Sequence, residues 1–152
     1  MRPSTFEETR SADYLMQLAA SGLGKACKSF ATSEMAIRPG DVVLDLGCGP
    51  GTDLLAFAEA AGGSTRVIEM DSAPDAVRQV QERTAGLHQV EVREGDVQAL
   101  DIPAASVDRV HTDRVLQHLP DPAAALAETR RVLRHGGSAV FQFADRRLGA
   151  GV

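Results

Sequence analysis

The strongest chemical signal in the sequence is the loop 45–51, where an acid is followed by three glycines at alternate positions. These glycines are Gly47, Gly49 and Gly51, and a short apolar run precedes them. Because glycine has no Cβ, its backbone can approach a ligand closely and can adopt positive φ. A helix beginning near Thr52 would point its free N–H groups and positive dipole end at the same place. The pattern predicts a loop that binds a small ligand through backbone atoms.

The glycine spacing differs from the dinucleotide fingerprint Gly-x-Gly-x-x-Gly, which would need glycine where Thr52 stands. A pyrophosphate needs that third glycine for close packing of helix on strand. A smaller ligand with an amino-acid tail does not. A nucleotide-binding oxidoreductase of the NAD type is therefore only an alternative, and no Tyr-Lys or cysteine-based hydride site is recognisable.

Two further acids follow the next two predicted strands. Asp71 ends the second strand about twenty residues beyond the loop, where a carboxylate can accept hydrogen bonds from both hydroxyls of a ribose. Asp96 follows the third strand, beside Val97, where it could accept from an adenine amino group. One acid at a strand end is usually a cap or a solvated turn. Acids at successive strand ends, along one edge of a sheet, favour an adenosyl ligand instead.

Polar residues also follow the predicted fourth strand and are candidates to face a substrate. They are His111, Thr112, Asp113, Arg114, Gln117 and His118. His118 could act as a general base, because histidine titrates near neutral pH, or it could order the turn that follows it. Asp113 and Arg114 either pair with each other or contact substrate, and the sequence leaves both open.

The elements that must position these residues alternate between strand and helix. Mainly apolar segments predict strands at 42–46, 66–70 and 139–143, alternation predicts a more exposed strand at 90–94, and a less apolar segment predicts a fourth at 107–111. Helical patterns lie between them, starting at Ser72 as an N-cap and at Asp121, the last ending at Gly136-Gly137. Such alternation predicts an α/β fold, a doubly wound, Rossmann-like parallel sheet of about five strands with helices on both faces. Ligands of this fold bind at the carboxyl ends of the strands.

Length and composition set the remaining expectations. Residues 1–40 are predicted to form an N-terminal helical segment, broken near Gly22, that packs on or caps a single domain, 41–152. The net charge of −5 disfavours nucleic-acid partners, and no apolar run could cross a membrane. Cys27 and Cys48 give neither a disulfide framework nor a metal-site pattern. A cytoplasmic protein without metal is expected.

Several of these motifs resemble those of class I S-adenosylmethionine-dependent methyltransferases. Val42 through Val77 and Gly95-Asp96 carry the resemblance first. It extends over the segments 107–110, 115–122 and 131–137, and covers roughly residues 38 to 143. The combination is specific, although each piece alone is not.

The resemblance implies S-adenosylmethionine as cofactor and methyl transfer to a small-molecule acceptor by in-line displacement. It implies these cofactor-binding residues: Asp45 at the methionine end, Gly47, Gly49 and Gly51 as backbone cradle, Asp71 with Met70 or Ser72 at the ribose, Asp96 and Val97 at the adenine, and Thr112 against the methionine part. Relatives with very different substrates share the turn after His118, which favours the turn-ordering role for it. No Asn-Pro-Pro-aromatic motif follows strand four, which argues against adenine or glutamine nitrogens as acceptors.

The sequence departs from the family at its end. The resembled fold continues past strand five with a helix and an antiparallel pair of strands, whereas only residues 144–152 follow here. We therefore expect a C-terminally shortened methyltransferase that lacks the usual antiparallel hairpin. The exposed edge of strand five would then be covered by a second copy, as a homodimer. A truncated, non-catalytic protein that binds S-adenosylmethionine is the alternative.

Overall fold

A computed structural model describes residues 17, 20–47, 51, 53–60 and 62–143. Its centre is a parallel sheet of five strands in the order β3-β2-β1-β4-β5. The strands are β1 (Val42–Leu46), β2 (Arg66–Asp71), β3 (Val90–Glu94), β4 (Val107–Asp113) and β5 (Leu133–Gln142). The order reverses between β1 and β4, so the crevice of this doubly wound sheet lies at their carboxyl ends. The predicted fold class is confirmed.

Helices cover both faces of the sheet. They are α1 (Gly22–Met35), α2 (Leu54–Ala60), α3 (Pro74–Thr84) and α4 (Pro122–Val132), with short 3-10 turns at Gly62–Ser64 and Leu116–His118. On one face α1, α2 and α3 bury an apolar cluster consisting of Met35, Val43, Leu54, Phe57, Val67 and Val80. On the other face α4 and the segment 97–102 pack on Leu44, Leu46, Ile68, Met70 and Val110. Burial on both faces explains why β1 and β2 are mainly apolar.

The junction of α4 and β5 differs from the prediction. The helix ends at Val132 and β5 begins at Leu133, so placing a helix end at Gly136-Gly137 is wrong. Gly136 has φ of +80°, and a Cβ on Gly137 would lie 2.9 Å from the carbonyl oxygen of Asp108. The strand pairing shifts at the same place, between Val107 and Arg109. These glycines therefore allow a bulge in close contact with β4 rather than a helix cap.

Strand β4 is longer and more buried than the sequence predicts. It extends to Asp113, and its polar residues Arg109 and His111 are buried. Arg109 lies 3.3 Å from the carboxylate of Asp41 and donates to the carbonyl oxygen of Ala36. Internal pairing makes polar residues compatible with a central strand, and hydropathy alone does not detect that.

The start of α3 corrects one expected cap. The residue before the helix is Ala73, and no side chain caps it, so Ser72 is not the N-cap. At α4 the predicted helix start is confirmed, and Asp121 is its N-cap, because Oδ1 of Asp121 accepts from the N–H of Ala124 at 3.1 Å. The cap of α1 is Ser21, whose side chain accepts from Gly24, while most of the helix expected before it lies outside the described residues. Nothing tests the division into 1–40 and 41–152. No helix among the described segments is long and apolar enough to cross a bilayer.

Candidate functional site

The glycine loop leaves the end of β1, at the point where the strand order reverses. Gly47 has φ of +70°, and its N–H donates to the carbonyl oxygen of Met70 at 2.7 Å. A Cβ at Gly47 would lie only 2.4 Å from Cγ2 of Val115. Gly51 also has φ of +70°, and a Cβ there would lie 3.1 Å from Cγ2 of Val80. Both positions therefore require glycine, for backbone conformation and for close packing. Gly49 lies outside the described residues.

The ends of β2 and β3 meet beside this loop. Asp71 is 8% exposed, and its Oδ1 accepts from the N–H of Ala73 at 2.8 Å. Its carbonyl oxygen accepts from the N–H of Gly95 at 3.0 Å, which ties the two strand ends together. Met70 is buried, with Sδ 3.0 Å from where a Cβ on Gly95 would be, whereas Ser72 is exposed. The ribose roles of Asp71, Met70 and Ser72 stay predictions.

Asp96 and Val97 follow β3 at the same edge. Asp96 is exposed, and its Oδ1 accepts from the backbone N–H of Gln98 at 2.8 Å and from its amide at 3.2 Å. The side chain of Val97 is buried in the apolar cluster under α4. The local turn therefore holds Asp96 outward and Val97 inward, and their roles at an adenine stay predictions.

Thr112 is the partner of Leu46 in the pairing of β4 with β1, directly before the glycine loop. It is 1% exposed, and its hydroxyl has no hydrogen-bond partner within the part of the chain that the structure describes. A buried polar atom without a partner is costly and calls for an explanation such as a ligand. Thr112 thus marks a place beside the loop where a bound molecule could be recognised.

The remaining acceptor-side candidates lie where β4 ends. Arg114 donates from Nε and Nη2 to the two carboxylate oxygens of Asp113, at 2.8 and 2.6 Å. Of the two alternatives left by the sequence, the structure contains the pairing. Arg114 has φ of +57°, a conformation in which a non-glycine residue is strained. Gln117 and His118 are exposed in the 3-10 turn that follows. Substrate contact by Asp113, Arg114, Gln117 and His118 stays a prediction.

A row of ionisable side chains crosses the sheet beneath the loop. Asp45 is in register with Glu69 on β2 and with His111 on β4, and all three are at most 2% exposed. Nδ1 of His111 lies 2.8 Å from Oδ1 of Asp45, and Nε2 lies 3.0 Å from Oε1 of Gln142. The ring of Phe57 packs edge-on against His111 at 5.0 Å between centroids. His111 therefore lies inside the sheet layer, and its predicted contact with substrate remains untested.

A second ion pair connects α1 with carboxylates that lie beside this row. Nζ of Lys28 lies 2.6 Å from Oδ1 of Asp53 and 3.8 Å from Oδ2 of Asp113. Burial raises the pKa of Asp53 and the charge of Asp45 adds to the rise, while Lys28 and His111 oppose it. The pair brings together α1, the start of α2 and the end of β4.

The charge of His111 is set by its partners. Burial by itself lowers the pKa of His111, because it penalises the charged ring. The charge and hydrogen bond of Asp45, the hydrogen bond of Gln142 and the charge of Asp53 outweigh that effect and raise the pKa to about 9. The ring is therefore a cation at neutral pH.

Asp45, Asp53 and His111 each offer a ligand atom within 4.8 Å of the others, as a metal site would. A metal requires a neutral imidazole with a free nitrogen. Both ring nitrogens of His111 already face hydrogen-bond partners, and Asp53 is paired with Lys28. The arrangement fits an internally paired cluster better than a metal site, and the expectation of no metal stays a prediction.

Sequence reasoning missed four residues of this cluster: Lys28, Asp53, Glu69 and Gln142. Glu69 carried a usable signal, because it is a carboxylate flanked by the apolar residues Ile68 and Met70. Asp53 lies two residues beyond the glycine loop, which is also a hint. Lys28 and Gln142 gave none, since their contacts depend on how distant elements meet.

Residues 43–137 match a family model described as a methyltransferase domain. An uncharacterised 37.1 kDa protein of a Streptomyces fradiae transposon is 50% identical over 128 residues, covering 84% of this chain and 37% of that protein. An arsenite methyltransferase of Halobacterium salinarum is 35% identical over 120 residues, covering 76% of this chain and 30% of the relative. The chain thus spans about a third of the length of each of these relatives.

Among solved structures, a S-adenosylmethionine-dependent methyltransferase from Aquifex aeolicus has the same fold. The TM-score is 0.68 at 23% identity, and the match covers 88% of this chain and 68% of that one. At this identity the likeness concerns the fold, which agrees with the strand order found here.

Proposed function

The chain belongs to the class I S-adenosylmethionine-dependent methyltransferase family, and from that we propose that it binds S-adenosylmethionine and transfers the methyl group to a small-molecule acceptor. The observation that carries the proposal is the glycine loop at the reversal point of the sheet. Gly47 and Gly51 both have positive φ, and a Cβ would clash with Val115 at Gly47 and be tight against Val80 at Gly51. A backbone cradle of this kind suits a ligand that the chain must approach closely.

The residues at this edge fit the cofactor. The loop would hold the methionine part with Asp45 beneath it, and the hydroxyl of Thr112, which lacks a partner among the described residues, would gain one there. Asp71 would accept from the ribose hydroxyls, with Asp96 near the adenine. The carboxyl ends of β1, β2 and β3 bring these groups to one edge. The bound cofactor supplies a methyl group already activated by its sulfonium.

The chain's own contribution to the reaction is then mainly orientation. In-line displacement needs the acceptor atom, the methyl carbon and the sulfur in one line, and holding them so lowers the barrier. Asp113 ends β4, Arg114, Gln117 and His118 follow it, and these residues would line the acceptor side. A base is required only for an acceptor that must lose a proton, and His118 is exposed where it could serve. Its other possible role is to order the turn before α4.

Binding without transfer is the second candidate function. It is favoured by the contrast between the two sides of the site. The donor side has two glycines with positive φ in close packing, whereas Asp113 and Arg114 on the acceptor side bond to each other. Turnover of S-adenosylmethionine in the presence of candidate acceptors would separate the two functions.

Calorimetry with S-adenosylhomocysteine on the intact chain and on Asp71→Ala tests the proposal. We expect the intact chain to bind and Asp71→Ala to lose about 1–3 kcal/mol, the cost of leaving polar groups unpaired. Asp75→Ala is the matched control, because Asp75 is exposed on α3 and pairs with Arg78 at the surface. Equal affinity in all three proteins would remove the ribose assignment. Binding of NAD in place of S-adenosylhomocysteine would favour the oxidoreductase alternative.

The proposal has two further parts: the protein is cytoplasmic, and two copies of the chain pair through β5. Within residues 20–143, the outer edge of β5 has no paired strand, and Phe143 beside it is 61% exposed. An open apolar edge favours pairing with another strand. Sedimentation at several concentrations tests it, and a monomer throughout would contradict it.

A further inference from the structure

Three hydrogen bonds connect α1 with the residue beneath the glycine loop. The amide nitrogen of Gln142 donates to the carbonyl oxygen of Cys27 at 3.3 Å, and its Oε1 lies 3.0 Å from Nε2 of His111. Nδ1 of His111 lies 2.8 Å from Oδ1 of Asp45. We refer to these four residues as the His111 relay. The relay crosses α1, β5, β4 and β1, and it ends two residues before Gly47.

The hydrogen-bond partners of the ring indicate its protonation state. The amide of Gln142 must turn its NH₂ toward the carbonyl of Cys27, since the opposite orientation would bring two acceptors together. Its oxygen therefore faces Nε2 of His111, and a carboxylate faces Nδ1. Both partners only accept, so both ring nitrogens must donate. His111 is an imidazolium in this arrangement.

We propose that His111 is a positioning residue of the cofactor site: its imidazolium fixes Asp45 beneath the glycine loop and, through Gln142, ties α1 to that loop. This inference rests on the proposed function, because it concerns the same cofactor site. The donor side then contains a buried cation that is connected to α1.

Charged groups reach His111 from every side of the cluster. Asp45 on β1 and Asp53 before α2 supply negative charge, and Lys28 from α1 neutralises Asp53. Glu69 on β2 is buried in the same row, one strand beyond Asp45. Gln142 on β5 and Phe57 on α2 complete the neighbours of the ring. A neutral ring would leave Asp45 buried without its countercharge, which is strongly unfavourable.

The relay matters to the cofactor because Asp45 is held before any ligand arrives. When a site is ordered before its ligand arrives, none of the binding free energy is lost in ordering it. Loss of the imidazolium should release Asp45 and the end of β1, and the loop with it. We expect the chain to remain folded after that loss while its affinity for the cofactor falls. A fall in affinity without unfolding distinguishes a positioning role from a purely structural one.

Four variants separate the possible roles of the relay. His111→Gln removes the charge, His111→Lys restores it, and Gln142→Leu breaks the tie to α1 while leaving the ion pair. Val132→Ala is the control, since Val132 is fully buried on α4, in the apolar cluster on the opposite face of the sheet. It lowers stability without touching the relay.

Calorimetry with S-adenosylhomocysteine at pH 7 measures the positioning. We expect roughly a tenfold loss of affinity in His111→Gln, a smaller loss in Gln142→Leu, partial rescue in His111→Lys and no change in Val132→Ala. Nitrogen NMR of the intact chain should show both ring nitrogens of His111 protonated at pH 7.5, with the signals assigned by their absence in His111→Gln.

Two results would overturn the inference while the proposed function stands. One is a neutral His111 ring at pH 7.5, and the other is unchanged affinity in both His111→Gln and Gln142→Leu although their melting temperatures fall. Failure of the intact chain to bind S-adenosylhomocysteine would instead overturn the proposed function, and the positioning role with it. The intact chain's own titration therefore tells the two failures apart.

Discussion

The two faces of the sheet are built from different chemistry. Under α4 the sheet is packed mainly with apolar side chains, among them Leu44, Leu46 and Ile68. Under α1, α2 and α3 a similar apolar cluster is crossed by the row Glu69, Asp45 and His111. Buried charges add less stability than apolar residues of the same volume would. The apolar face is thus explained by folding, and the charged face is explained by the site above it.

Removal of one partner from the charged face should have the largest effect. Asp45→Ala leaves the imidazolium of His111 without its carboxylate and should lower the free energy of unfolding by about 3–5 kcal/mol at pH 6. Adding His111→Leu keeps the total side-chain volume similar and should recover most of that stability, because the face becomes apolar. Urea unfolding of the three proteins measures the change. A double variant as unstable as the single one would show that the charges also hold the fold.

The next largest effect is expected in the pH dependence of the free energy of unfolding, which should differ between the two faces. The pKa of His111 is raised from 6.5 to about 9 in the folded chain, so its contribution is fully present below pH 6.5 and is lost as pH rises through 9. The contribution is about 3 kcal/mol, from 1.36 kcal/mol per pH unit. The stability difference between the intact chain and His111→Leu should therefore shrink by that amount between pH 6 and 10.

Leu44→Ala is the control for this profile, since Leu44 is fully buried on the apolar face. It should lower stability by about 2–5 kcal/mol through lost burial and cavity formation, equally at every pH. A pH-dependent effect in Leu44→Ala, or none in His111→Leu, would contradict the assignment of the titrating group.

The smallest effect is expected at the N-cap of α4. Asp121→Ala removes the acceptor for the N–H of Ala124 and should cost about 1 kcal/mol of stability. Affinity for S-adenosylhomocysteine should not change, because α4 packs on the apolar face. Urea unfolding and calorimetry on the same sample measure both. A matching loss of affinity would mean that the two faces are coupled.

The sequence predicted the parts of the fold that depend on local pattern. The strand 42–46 and the helix start at Asp121 follow from hydrophobic runs and cap chemistry, and both agree with the structure. Gly136-Gly137 was misassigned because paired glycines end helices and also permit bulges. The difference arises from the close approach of Asp108 on another strand. Local sequence contains no information on that contact.

The residues of the candidate site also fall into a group that the sequence predicts and a group that it does not. Gly47, Gly51 and Asp71 were predicted from motif spacing, and the sheet brings them to one edge. The His111 relay was not predicted, because Gln142 and Cys27 are 115 residues apart and meet only once β5 has paired with β4. Register between distant strands decides which polar residues become neighbours. The register depends on the whole fold and not on the sequence near each residue.

The central place of β1 has a consequence for synthesis on the ribosome. Strand β1 is complete at residue 46, but its second neighbour β4 begins only at residue 107. Until β4 emerges, β1 and β2 can pair while the other edge of β1 stays open, and open apolar edges invite pairing between nascent chains. Asp45 keeps its charge uncompensated throughout this interval, because His111 has not yet been made. We expect the carboxylate of Asp45 to oppose such pairing until β4 has been made.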